Sequence, residues 1–407
     1  VAIVGGGQAG LAMSHCLSES DIGHVVLERD RLGHDWRERR WDSFCLVTPN
    51  WQCDLPGFPY RGADPHGFMA RDEIVDYLAG YARSFDPPLH EGVEVTRLAQ
   101  EADGGYGLET SDGAVRAEQV VVATGGYHHP LVPPIAAGLP DSLEQIHSSA
   151  YRNPEALPEG PVLVVGTGQS GCQIAEDLHL AGRLVHLSVG GAPRTARFYR
   201  GRDVTDWLHD MGHYDLPVTE HTLGDGIRLQ ANHYVTGRDG GHDIDLRRFA
   251  LEGMRLYGHL DRIDRDGLAF ADDLGANLDH ADGVAQGIKD AIDEYVAGRG
   301  LSAPEEAPPW HPERRRTRLD LAGGAVRSVV WSTGYRADYR WVELAAFDGA
   351  GYPVHHRGVT PLPGLYFLGL PWLHTWGSGR FASVGRDAGY LAHRIAAVAS
   401  PEVARAA

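Results

Sequence analysis

An α/β fold is what this sequence predicts: two Rossmann-like, three-layer (ββα) domains, the second inserted into a discontinuous first. Three observations carry that expectation. Residues 1–10 read VAIVGGGQAG and residues 162–171 read VLVVGTGQSG, one ten-residue design used twice. Each is an apolar run that ends in G-x-G-x-x-G and is followed by a helical stretch. Two further apolar runs, Val120 to Gly125 and Ser328 to Tyr335, end in A-T-G and S-T-G-Y, as expected where a chain crosses between two such domains.

In the first motif Val1 to Val4 forms the strand and Leu11 to Leu17 the helix. Gly5 permits the tight turn, Gly7 lets a pyrophosphate approach the backbone, and Gly10 lets helix and strand pack closely. Gln8 and Ala9 lie in the first helical turn, whose free N–H groups face the phosphates. A second strand, His24 to Leu27, ends in Glu28, followed by Arg29. An acid at this point accepts hydrogen bonds from ribose hydroxyls. The site is therefore built for an unphosphorylated adenosine ribose.

The second motif repeats the grammar with Gly166, Gly168, Gln169, Ser170 and Gly171, then a helix from Cys172 to Leu180. Its second strand, Leu184 to Leu187, ends in Ser188 with no acid. Arg194, Arg197, Arg200 and Arg202 follow. A carboxylate would repel a 2′-phosphate, whereas serine and arginine favour it. These arginines either read that phosphate, Arg194 first and Arg197 second, or decorate a solvated loop. Two ribose rules imply two cofactors, FAD in the first site and NADPH in the second, with hydride passing from nicotinamide to flavin.

The remaining elements follow from periodicity and composition. Ile74, Tyr77, Leu78 and Tyr81 share one face of a helix over 72–83, read as core packing. Val284, Ile288, Ile292, Tyr295 and Val296 form a stripe over 283–297. Pro304, Pro308 and Pro309 mark an irregular loop, and Pro363 to Leu370 reads as a buried strand before a helix at 382–396. The expected division is 1–150 (FAD-binding, first part), 151–324 (NADPH-binding, with a helical insertion at about 206–320) and 325–407 (FAD-binding, second part). Val95, Ala123, Thr124, Gly125 and Gly369 complete the expected cofactor contacts.

Composition bounds the function. A net charge of −18 over 407 residues argues against nucleic acid. Lys289 is the sole lysine, which leaves one candidate for Schiff-base chemistry. Cys16, Cys45, Cys53 and Cys172 form no C-x-x-C pair, and the His128-His129 and His355-His356 pairs have no metal-ligand spacing, so no metal site is expected. No apolar run approaches a membrane span and no signal peptide is seen; a cytoplasmic protein is expected. The chain opens inside a strand without Met, so a few residues are expected to precede it. A homodimer is compatible with this reading.

The pattern resembles class B flavin monooxygenases, including the plant YUCCA type and bacterial NADPH-dependent forms. The resemblance rests on both glycine motifs, Gly33-His34-Asp35-Trp36-Arg37, Thr48-Pro49-Asn50, the A-T-G and T-G-Y strands, and Ile146 to Tyr151. Residues 39–60 and the long insertion are most similar to an uncharacterised subgroup of flavin-dependent oxidoreductases encoded beside a nitrilase. Asp141 and Leu143 stand where the family fingerprint has Phe and Gly. The resemblance implies Trp36 and Arg37 at the flavin and Asn50 as the catalytic polar group over it. It implies a monooxygenase that forms a C4a-hydroperoxyflavin with O2 and oxygenates a small molecule at N or S. An NADPH-dependent flavin oxidase or dehydrogenase, and a catalytically silent redox-sensing flavoprotein, stay open as alternatives.

Overall fold

The computed structural model describes residues 1–264, 267–301 and 316–399. The proline loop expected around Pro304, Pro308 and Pro309 lies outside them.

Short apolar runs become short parallel strands because both faces of each sheet are covered. In chain order the main strands are β1 (Ala2–Val4), β2 (Val25–Glu28), β3 (Leu89–Glu91) and β4 (Val120–Val122), then β5 (Glu144–His147), β6 (Val162–Val165), β7 (Val185–Ser188), β8 (Arg255–Tyr257) and β9 (Ser328–Trp331), and finally β10 (Leu365–Phe367). They form two parallel five-stranded sheets, ordered β10-β4-β1-β2-β3 and β5-β9-β6-β7-β8. Ile3 stands between Val26 and Val121 in the first sheet, and Val164 between Leu187 and Val330 in the second. Each glycine motif thus follows a central strand.

The longer helices are α1 (Gln8–Glu19), α2 (Arg71–Phe85), α3 (Gln169–Leu180), α4 (Leu274–Gly298) and α5 (Val384–Ala399). Helices α1 and α5 pack against each other beside the first sheet. Helix α2 buries Ile74, Tyr77, Leu78 and Tyr81, the face its periodicity foretells. In α4 the buried stripe includes Ala281, Ala285, Ile292 and Val296, so Ala285 takes the place expected for Val284.

Two expectations are corrected by the pairing. The expected division puts β9 in the first domain, which resumes at residue 325, yet β9 pairs with β5 and β6 in the second sheet. The same division puts β5, before residue 150, in the first domain. Both flanks of the insertion enter the second sheet, so the chain crosses between β4 and β5 and crosses back between β9 and β10. The region 206–320 is also not simply helical. Alongside α4 it contributes β8 and an antiparallel sheet of 260–264, 267–270 and 318–319. Such short strands are below the length at which periodicity is readable.

Burial gives the fold a pH dependence. His186 on β7 is fully buried, its Nδ1 2.9 Å from the Tyr257 hydroxyl, and burial pushes its pKa down to about 4. Burial likewise takes His233 and His355 down to about 4. The native state therefore binds fewer protons than the unfolded chain between about pH 6.5 and 4. Stability from these groups is complete above that window and is lost as pH falls through it. The urea midpoint is expected to fall from pH 7 to pH 5, with a smaller fall in His186→Phe. Equal slopes in the two proteins would remove His186 from the account.

Candidate functional site

Each glycine turn is closed by the end of a crossing strand. Gly5 has φ +104°, and a Cβ there would stand 2.7 Å from the Ala123 carbonyl oxygen; Gly166 has φ +102° and its Cβ would stand 2.6 Å from that of Ser332. Behind each turn, a Cβ on Gly10 would lie 1.8 Å from the Gly5 oxygen, and one on Gly171 2.0 Å from the Gly166 oxygen. These four glycines are required by packing. Gly7 and Gly168 differ: a Cβ on either meets nothing within 4 Å.

That open space is where a pyrophosphate fits. Gly7 and Gly168 are the N-caps of α1 and α3; neither helix has a side-chain cap or an acid in its first turn. The first N–H groups of both helices therefore await an anionic acceptor. The hydroxyls of Thr124 and Ser332, beside the two turns, are buried without a hydrogen-bond partner among the described residues. Glu28 is held in place by two backbone donors, Gly6 N at 2.5 Å and Asp30 N at 2.9 Å. The residues present fit two dinucleotides.

A single cavity of about 970 Å³ joins the two turns. It is lined at the first by Gly5, Gly7, Gln8, Ala9, Glu28 and Arg29, with Trp36, Val95, Ala123, Thr124, Gly125 and Gly369. At the second it is lined by Gly168, Gln169, Ser170 and Arg197. Trp36 stacks on Phe381 with ring centroids 5.9 Å apart. The glutamine of each motif ties its helix to a distant wall: Gln8 Nε2 donates to Gly379 O at 3.3 Å, and Gln169 Nε2 to Val235 O at 2.5 Å. Arg37 lines a neighbouring hollow with Asp30, His34 and Glu91 instead.

Three expected residues sit elsewhere. Asn50 is buried, its Nδ2 donating to Asp64 O at 3.0 Å and its Oδ1 accepting from Met69 N at 2.7 Å. Its amide holds the 64–69 loop rather than standing over the cavity, which Thr48 lines in its place. Ser188 is also buried; its hydroxyl donates to Gly258 O and accepts from Leu260 N. Arg194 turns to α4, with Nε 2.5 Å from Asp282.

The whole arginine cluster is accounted for by acids: Arg197 with Asp203, Arg200 with Asp293, and Arg202 with Asp210. An ion-paired guanidinium has much of its attraction for a further anion cancelled. Arg194→Ala is therefore expected to change the NADPH/NADH ratio of kcat/KM by less than about threefold, well under one charge-assisted contact. A tenfold fall confined to NADPH would restore its phosphate-reading role.

His147, in the Ile146 to Tyr151 segment that the resemblance rests on, is a strut. Its Nε2 lies 2.9 Å from Gly334 O and its ring packs edge-on to Tyr335, pinning the second crossing. Burial lowers its pKa, so the neutral form that donates from Nε2 fits this contact. Sequence reasoning missed the wall built by Leu208, His213, Tyr214, Asn232 and His233 with Trp376 and Arg380. Residues 213–229 there are short 3-10 turns without a regular period, so no pattern in the sequence marks them as part of a site.

Among the described residues no group of three His, Cys, Asp or Glu is placed to hold a metal, and no helix is long and apolar enough to cross a membrane.

Comparison with known proteins agrees with this geometry. Residues 2–232 match the family model described as pyridine nucleotide-disulphide oxidoreductase. The chain is 34% identical over 402 residues to an uncharacterised CzcO-like oxidoreductase of Geobacillus kaustophilus, covering 97% of each. It is 34% identical over 358 residues to the indole-3-pyruvate monooxygenase YUCCA1 of Oryza sativa subsp. japonica, covering 81% of this chain and 87% of that one. Its fold is similar to that of an ornithine N-hydroxylase from Kutzneria sp. 744, solved with reduced FAD, NADP+ and L-ornithine. There the TM-score is 0.63 at 18% identity, covering 98% of this chain and 99% of that one. The matched model spans more than half of the sequence, and the chain belongs to the pyridine nucleotide-disulphide oxidoreductase family.

Proposed function

We propose that this protein is an FAD- and NADPH-dependent monooxygenase acting on a small molecule. The observation that carries the reading is the one cavity shared by two uncapped glycine turns. Two separate nucleotide sites would need a mobile carrier between them; a common cavity lets the two redox rings meet. FAD belongs at Gly5 to Gly10 with Glu28 on its ribose, and NADPH at Gly166 to Gly171. The cofactors named for the Kutzneria enzyme and the monooxygenase activity named for the rice relative support this assignment.

When bound, reduced FAD supplies O2 activation. The chain's own residues supply the enclosure. Trp36 and Phe381 cover one side with stacked rings, and Tyr214 packs against Trp376 at 4.6 Å on the wall from the insertion. Excluding water there favours transfer of oxygen to substrate over loss of peroxide. A nucleophilic N or S is the expected acceptor atom.

The burial of Asn50 favours one second reading, an NADPH oxidase, because that amide is withdrawn from the place where it would hold a peroxide. One experiment separates the two. The purified yellow protein is reduced anaerobically with NADPH, then mixed with 18O2 and candidate amines and thioethers. Label in an organic product supports the monooxygenase. Stoichiometric H2O2 with every substrate supports the oxidase, and a flavin that NADPH cannot reduce overturns both.

A further inference from the structure

Among the described residues Arg29, Arg39 and Arg197 around this cavity have acidic partners; Arg31, Arg40 and Arg380 do not, and of these three Arg380 is the one on the wall with Tyr214 and Trp376. Among the described residues no carboxylate lies within ion-pair distance of its guanidinium. Nη2 donates to the Asn232 side-chain oxygen at 2.8 Å, and Nη1 donates to the Trp376 carbonyl. The guanidinium carbon lies 3.8 Å from the centre of the Trp376 ring. Two of five N–H groups are thereby used.

Its surroundings offer no compensating charge. Burial lowers its pKa, and the side chains that act on it are Tyr127 and Tyr214, both phenols. On the same wall, burial keeps His213 and His233 below their ordinary range, hence neutral near pH 7. A half-buried cation without a counter-ion is costly, and the cost is offset when a ligand brings the anion. The chain's net charge of −18 repels anions at long range, so a local cation is needed to hold one.

Resting on the monooxygenase reading, we propose that Arg380 is a substrate-binding residue that anchors the carboxylate of a small organic acid. The guanidinium fork takes a carboxylate in two parallel hydrogen bonds. The neighbouring rings of Trp376 and Tyr214, tilted 35° to each other, give the body attached to the carboxylate an aromatic wall to pack against, so an aromatic acid is preferred. The two glycine turns provide seats for both pyrophosphates, so neither of those anions needs Arg380.

The test uses the purified holoprotein with benzoate and its neutral isostere benzamide, measured by calorimetry. Wild type is expected to bind benzoate about 10- to 100-fold more tightly than benzamide, the value of a charge-assisted contact. In Arg380→Gln that preference is expected to fall below about threefold with flavin content retained; Arg380→Lys keeps part of it. Equal binding of the two probes by wild type overturns the proposal without any variant. Loss of flavin, or a raised KM for NADPH with the benzoate preference intact, in Arg380→Gln also overturns it, because the arginine would then serve a cofactor phosphate. Selective benzoate binding by a protein that oxygenates nothing would defeat the monooxygenase reading while leaving the anion site standing.

Discussion

Gly10→Ala is expected to purify without flavin and to melt about 5 °C or more below wild type. A methyl group there would stand 1.8 Å from the Gly5 carbonyl oxygen, a backbone atom that cannot swing aside. Either α1 moves off β1 or the turn opens, and overpacking of this severity costs about 1–3 kcal/mol or more. Gly7→Ala provides the contrast. Its methyl meets no protein atom within 4 Å, so the melting temperature of the flavin-free protein is expected to stay within about 2 °C of wild type apoprotein. Flavin is still expected to be lost, because the methyl fills the space a phosphate must enter. Flavin absorbance and thermal unfolding of both variants decide the matter. A Gly7→Ala protein that keeps full flavin would remove the pyrophosphate from this turn.

Arg197→Met is expected to lower the melting temperature by about 10 °C. Arg197 is 2% exposed and Asp203 5%, with Nη2 2.5 Å from Oδ1. The same arginine donates to Val47 O and Thr205 Oγ1 and lies over the Phe68 ring. Removing it leaves a buried carboxylate without its charge partner, which costs about 3–5 kcal/mol. Asp203 also caps the helix at 204–210 by accepting from Thr205 N at 2.7 Å. Asp203→Asn keeps an acceptor for that cap and removes the charge. The double variant Arg197→Met/Asp203→Asn is therefore expected to recover more than half of the loss. A double variant no more stable than Arg197→Met alone would show that packing, not charge, explains the arginine.

These two cases mark where the sequence is legible. The glycine turns are readable because backbone geometry acts over six residues and leaves a residue-type signature at each position. Glu28 is readable for the same reason, being one strand away from its turn. The arginine cluster is only partly so: Arg197 and Arg202 find acids within eight residues, but Arg194 finds Asp282 88 residues later, and Arg200 finds Asp293 93 residues later. A count of local charge cannot see such partners. Ser188 looked available because it ends a strand, but the following chain at Gly258 and Leu260 covers it. Asn50 kept its place after Thr48-Pro49, yet its amide was taken by a loop that begins fourteen residues on. Local pattern fixes what a turn can bind; it is weak on which side chains stay uncommitted once the chain closes.

The nesting of one sheet inside the other has a consequence for how the chain is made. Strand β4 at 120–122 has its outer neighbour, β10, at 365–367, and β6 at 162–165 has its central neighbour, β9, at 328–331. A ribosome delivers the four N-terminal strands of the first sheet early, but their closing partner arrives last. Until then the edge of β4 stands open, and edges of this kind recruit wrong partners. The inner sheet receives its last strand first and so closes before the outer one. A nascent chain released after residue 331 but short of residue 365 would carry both a finished inner sheet and an unfinished outer one.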